Sequence, residues 1–133
     1  MQVNFRGSTG YGRKHFKAGN KEWGRNMQND VTDAVNWAID QGIADKDRVC
    51  IYGASYGGYA VMAGITFTPD MYKCAVNYVG VTDLELLWET MPPQWEIFEE
   101  QQKVDIGDPE KDKELLKARS PLNFVDRIKT PLY

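Results

Sequence analysis

Along this chain the spacing of apolar residues changes several times, and each change marks a new element. From about Asn26 to Gln41, Met27, Val31, Ala34, Val35 and Ala38 fall on one helical face, which predicts an amphipathic helix packed on a sheet. Gly42 follows and supplies the residue that ends it. Arg48-Val49-Cys50-Ile51-Tyr52 is then a short, nearly continuous apolar run, the pattern of a strand in a buried parallel sheet. Tyr59 to Ile65 predicts a helix, and Cys74 to Val79 the next strand. The opening Gln2-Val3-Asn4-Phe5 reads as the end of an earlier strand, cut by the glycine-rich loop Arg6 to Gly12. The order is strand, helix, strand, helix, strand, which predicts an α/β fold around a parallel sheet.

Beyond that unit the punctuation is polar. Thr82-Asp83-Leu84-Glu85 has the spacing of a capping box, in which the threonine oxygen and the glutamate satisfy free backbone N–H groups. Leu84, Leu87, Trp88 and Met91 follow on one face of the helix it opens. Pro92-Pro93 stops that helix, and the acidic stretch to Asp108, with isolated Trp95 and Phe98, reads as a surface excursion. Asp108-Pro109 predicts a cap followed by proline in the first turn of a helix through about Arg119, which Ser120-Pro121 terminates. Lys129 to Tyr133 enters a further strand.

A length of 133 residues is that of one domain or a piece of one, and a 42% hydrophobic content predicts a packed core. The net charge of -3, with scattered lysines and arginines, gives no electrostatic case for nucleic acid. No apolar run approaches the ~18 to 20 residues that span a bilayer, so no membrane segment is expected in this chain. The first residues show no secretory leader, yet the compartment, cytoplasmic or secreted, stays open. Cys50 and Cys74 are too few for a disulfide framework, and each lies in a strand-like apolar run, so buried free thiols are expected.

The chemistry is concentrated in Gly53-Ala54-Ser55-Tyr56-Gly57, a Gly-x-Ser-x-Gly sequence between a predicted buried strand and a predicted helix. A serine on that turn projects its Oγ out of the sheet. Gly53 and Gly57 are expected to leave room where a Cβ would collide with the neighbouring strand or helix. The helix that follows aims its positive end at the site, and the N–H of Tyr56 is placed to donate to an oxyanion. A phosphate-binding loop would need a lysine before its last serine or threonine, and a dinucleotide fingerprint would need Gly-x-Gly-x-x-Gly. Neither is present. No cofactor and no metal is called for.

The segment Gly53 to Tyr59, preceded by Asn4-Phe5-Arg6-Gly7-Ser8-Thr9-Gly10-Tyr11-Gly12, resembles the catalytic domain of the prolyl oligopeptidase family of serine peptidases. Ser120-Pro121-Leu122-Asn123 and Ile128-Lys129-Thr130-Pro131-Leu132 resemble the family's approach to the strand that bears the catalytic aspartate. The resemblance implies an α/β-hydrolase-type parallel sheet with helices on both faces, present here as a partial catalytic domain over residues 1 to 133. It implies that Ser55 attacks a peptide carbonyl, with the Tyr56 N–H as half of the oxyanion hole and the Tyr56 ring shaping the pocket. Val79, Val81, Leu84 and Trp88 are further candidate walls, and equally readable as core. The acid and the histidine of the triad are expected beyond Tyr133. His15, the only histidine, precedes the serine, whereas in this fold it follows. A peptide is the expected substrate, and self-association through open sheet edges is expected of the isolated chain. Two alternatives stay open: an esterase or other acyl hydrolase on the same elbow, and a non-catalytic module that keeps the scaffold for association.

Overall fold

The computed structural model describes residues 1–133. At its centre β1 (Cys50–Ala54) runs into α3 (Tyr56–Phe67), which crosses back to β2 (Cys74–Tyr78). The two strands are parallel, with Cys50 opposite Cys74 and Ala54 opposite Tyr78. The chain's last residues continue the sheet on the far side of β2. There Ala75 N donates to Pro131 O at 3.0 Å, Asn77 N donates to Tyr133 O at 2.8 Å, and Leu132 bridges Ala75 in parallel. The strand expected from Lys129 is therefore formed at its tip.

The strand period of two divides this sheet into unlike faces. Ile51 and Ala75 pack toward α3, whereas Tyr52 and Tyr78 stand 72% and 62% exposed on the other face. α3 is apolar all round, buried from Gly58 to Thr66, and separates two clusters. Val61, Met62 and Ile65 pack with Tyr72, Ala75 and Val35 of α2 (Asn26–Asp40). Tyr59 and Ala63 pack with Leu84, Ile106 and Leu116. The Thr66 hydroxyl, buried within α3, is satisfied by donation to Met62 O at 2.8 Å.

The cysteines differ from expectation. Cys50 and Cys74 form a disulfide, and Cys50 is exposed rather than buried. As in-register partners on neighbouring parallel strands they stand 4.7 Å apart at Cα, within the range a disulfide spans, and they occupy the face turned away from α3.

Three boundaries also move. Gln2 to Phe5 forms no strand, because a groove of about 1260 Å³ separates it from the free edge of β1 and leaves it no ladder partner. The residue capping α4 (Leu84–Glu89) is Asp83, not Thr82. The Asp83 carboxylate accepts from Glu85 N and Leu86 N, while Thr82 O is engaged by Leu122 N. Asp108 does accept from Glu110 N and Lys111 N, but that turn closes on itself when Asp108 N donates to Asp112. The helix proper, α6 (Lys113–Arg119), begins only after it. A short helix, α1 (Arg13–Lys17), was not signalled by the pattern.

The stretch read as an excursion is a 3-10 helix, Pro93–Phe98, followed by α5 (Glu99–Asp105), with no residue of either fully buried. It rejoins the core at Ile106. α4 and α6 are joined by one side chain: the buried Ser120 hydroxyl accepts from Leu84 N and donates to Leu116 O, both at 2.8 Å.

Candidate active site

Ser55 sits between the last residue of β1 and the first of α3, at φ 55° and ψ -118°. A non-glycine residue at positive φ is held there only by its surroundings, and such strain concentrates at functional turns. Here the surroundings are identifiable. Ser55 N donates to Tyr78 O at 3.0 Å, tying the turn to β2, and Tyr59 N donates to Ser55 O at 3.1 Å, starting the helix. A Cβ on Gly53 would overlap the carbonyl of Gly57, and one on Gly58 would overlap Asn77 Oδ1 and press on Gly80. The turn is tight because Gly53 and Gly58 let backbone meet backbone, whereas a Cβ on Gly57, expected to collide, would meet open space.

The exit from β2 carries a second strained residue, Val79, at φ 47°. Asn77 holds the following turn by accepting from Gly80 N at 3.0 Å. The ends of both parallel strands are thus bent sharply at the same edge of the sheet, the crevice where ligands of open α/β sheets bind. Tyr56 is the first residue of α3, and its N–H makes no backbone hydrogen bond, so it is free to donate at the positive end of the helix.

The Tyr56 ring is packed among aromatics, with Trp23 edge-on at 4.5 Å between centroids, Phe5 at 5.2 Å and Tyr59 at 5.8 Å. Burial pushes its phenol well above the ordinary tyrosine value, so it is a neutral group. The Arg6 to Gly12 loop is fixed beside it. The Arg6 guanidinium grips the Asp30 carboxylate through Nε at 2.8 Å and Nη2 at 2.6 Å, and Asp30 also accepts from Arg6 N. That grip holds the Asp30 carboxyl below the usual aspartate range.

Ser55 and Tyr56 open into a cavity of about 410 Å³, within the range of small-ligand sites. Its apolar wall is built from Phe5, Phe16, Trp23, Met27, Val81 and Leu87, with Trp95 and Ile106 from the far stretch. Of the candidate pocket residues, the structure brings Tyr56 and Val81 together with Ser55 here. Val79 is 73% exposed and outside the cavity, Leu84 is in the core beneath it, and Trp88 packs against that core. Trp23, Gln102 and Asp105, which also line the cavity, carried no sequence signal beyond their residue type, and Leu87 was read only as one of an apolar helix face. His15 lies in a separate shallow hollow, where its Nε2 donates to Phe5 O at 3.1 Å and Tyr11 packs on its ring.

A parallel strand-helix-strand unit with a strained serine at the strand-to-helix turn defines an α/β-hydrolase-type chain. Comparison with known proteins narrows this, because the model of the prolyl oligopeptidase family matches residues 1–133. The chain belongs to the prolyl oligopeptidase family. It is 50% identical over 134 residues to dipeptidyl aminopeptidase BIII of Pseudoxanthomonas mexicana, covering 99% of this chain and 19% of that protein. It is 44% identical over 136 residues to dipeptidyl peptidase family member 6 of Caenorhabditis elegans, covering 99% of this chain and 18% of the relative. A puromycin-hydrolyzing peptidase of Mycobacterium tuberculosis superposes with a TM-score of 0.89 at 35% identity, over 98% of this chain and 19% of that structure. The chain therefore spans about a fifth of the length of the relatives it matches.

Proposed function

We propose that Ser55 is the nucleophile of a serine peptidase acting on short peptides, and that residues 1–133 are part of its catalytic domain. The observation that carries this reading is the geometry of Ser55: positive φ, a hydrogen bond to the end of β2, and a cavity at its side chain. In the reaction Ser55 Oγ bonds to the carbonyl carbon of the substrate. The carbonyl oxygen becomes an oxyanion that accepts from Tyr56 N–H, the C–N bond breaks, and the amine leaves with a proton. Water then hydrolyses the acyl-serine ester and restores Ser55.

The proton from Oγ needs a base, and His15, bound to Phe5 O in another hollow, is not placed to take it. We assign the histidine and its acid to the part of the relatives' length that this chain does not span. With its base absent, Ser55 is an ordinary alcohol, and the isolated chain is expected to hydrolyse peptides far more slowly than an enzyme with its triad.

A fluorophosphonate probe tests the assignment in a full-length protein that contains this chain. Labelling and hydrolysis should both disappear in Ser55→Ala, with a rate loss on the order of 10⁶-fold, as for other serine peptidases. Labelling that persists in that variant would show that another residue is the nucleophile.

A further inference from the structure

We propose that Asn77 is a positioning residue for the reaction at Ser55: its amide oxygen fixes the turn after β2, so that the Tyr78 carbonyl holds the strained serine in place. The inference rests on the reading of Ser55 as the nucleophile and adds to it a residue outside the cavity that governs its rate.

Asparagine is depleted in strands, yet Asn77 lies within β2, half-buried and opposite Gly53 in register. Its side chain makes one hydrogen bond, accepting from Gly80 N at 3.0 Å. The same oxygen lies against the first turn of α3, since a Cβ on Gly58 would overlap it. A Cβ on Gly80 would overlap both this oxygen and the Gly58 backbone. One side-chain atom is thus wedged between the exit of β2 and the start of the helix that follows Ser55.

Between these contacts stands Val79, at φ 47°. A β-branched residue is strained there, and with its side chain 73% exposed, packing does little to hold it. Two peptide planes meet at its Cα. The plane before it carries Tyr78 O, which accepts from Ser55 N at 3.0 Å, and the plane after it carries Gly80 N, which Asn77 Oδ1 holds. With both planes fixed, Val79 is confined to the left-handed region.

If Gly80 N is released, the bond between Ser55 N and Tyr78 O is left to oppose the relaxation of Val79. That bond is the tie between β2 and a serine itself held at φ 55°. Loosening it lets Oγ drift, and with it the Tyr56 N–H one residue on. A nucleophile and an oxyanion donor that lose their fixed separation lose rate, because the reaction tolerates little displacement. Asn77 is not part of the cavity lining, so substrate binding is spared.

The test uses a full-length protein that contains this chain, with a chromogenic dipeptidyl amide as substrate and a fluorophosphonate to count reactive Ser55. Asn77→Ala removes the acceptor, and kcat per labelled site should fall about tenfold to a hundredfold while KM stays within about twofold. The rate constant of labelling should fall with it. Asn77→Asp keeps an oxygen at the same reach, beside the positive end of α3, and should keep most of kcat. If Asn77→Ala does not fold, Asn77→Ala/Val79→Gly is compared with Val79→Gly, because glycine takes positive φ without strain. A fall in kcat per labelled site is again expected, since Gly80 N is unheld in the double variant alone. An unchanged kcat per labelled site on removal of the Asn77 oxygen, an equal loss in Asn77→Asp, or a loss carried wholly by KM overturns the proposal and leaves Ser55 as nucleophile. Labelling or hydrolysis that persists in Ser55→Ala overturns the reading of Ser55 itself.

Discussion

The β1–α3–β2 unit and the stretch from Pro93 to Asp105 both supply walls to the Ser55 cavity, yet different physics holds them in place. In the first, α3 is buried from Gly58 to Thr66, and backbone touches backbone at Gly53, Gly58 and Gly80. In the second, Ile97 is 82% exposed and Phe98 54%, and α5 is supported on its surface by Lys103 paired with Glu99 and Glu100. Ser55, the proposed nucleophile, stands on the part that packing over-determines. The cavity walls that Trp95 and Gln102 supply stand on the part held by local contacts, where substitution costs less. The proposed nucleophile and the outer wall of its cavity thus stand on segments that packing holds with very different firmness.

Substitutions in the two regions should separate them. Gly53→Ala attacks the first most directly, since its Cβ would overlap the Gly57 backbone and no flexible side chain can move aside. The expected loss is about 3 kcal/mol or more, together with fluorophosphonate labelling. Urea unfolding with the probe present checks both, and an alanine variant with native stability would show that the turn is looser than its contacts imply.

Reducing the Cys50–Cys74 bond comes next. It closes a separation of 24 residues that contains the whole elbow and α3, so its loss should cost about 3 kcal/mol by the loop-entropy estimate. Denaturant midpoints with and without reductant measure this, and coincident midpoints would remove the disulfide from the account of the rigid unit. The smallest effect belongs to the other region. Lys103→Ala removes two exposed ion pairs on α5, and its small destabilisation should vanish in molar salt. A loss as large as that of Gly53→Ala would erase the distinction between the regions.

The rigid unit was also the part legible from sequence. The change from strand to helix period around Gly53-Ala54-Ser55-Tyr56-Gly57 is a local signal, and α2, β1, α3 and β2 formed close to where their patterns indicated. The disulfide was hidden, because which residue of β1 faces which residue of β2 depends on register, and neither strand encodes its register alone. The start of α4 moved by one residue because Thr82 and Asp83 can both cap, and it is the Asp83 carboxylate that accepts from Glu85 N and Leu86 N.

The cavity was the least legible part. Trp23, Leu87 and Asp105 come together from segments far apart in the chain, and a tryptophan or aspartate in a polar stretch looks alike whether it faces solvent or a pocket. Val79 at positive φ gave no warning either, since a β-branched residue is among the least expected there.

Ser120 gives α4 and α6 a common fate. Its single hydroxyl closes the end of α6 through Leu116 O and the beginning of α4 through Leu84 N. Neither helix can fray at that junction without breaking the bond that finishes the other. Opening there is a joint event, and amide exchange at Leu84 becomes a report on the integrity of α6. Two helices of 6 and 7 residues, each too short to persist alone in water, thus behave as one cooperative body beneath the cavity.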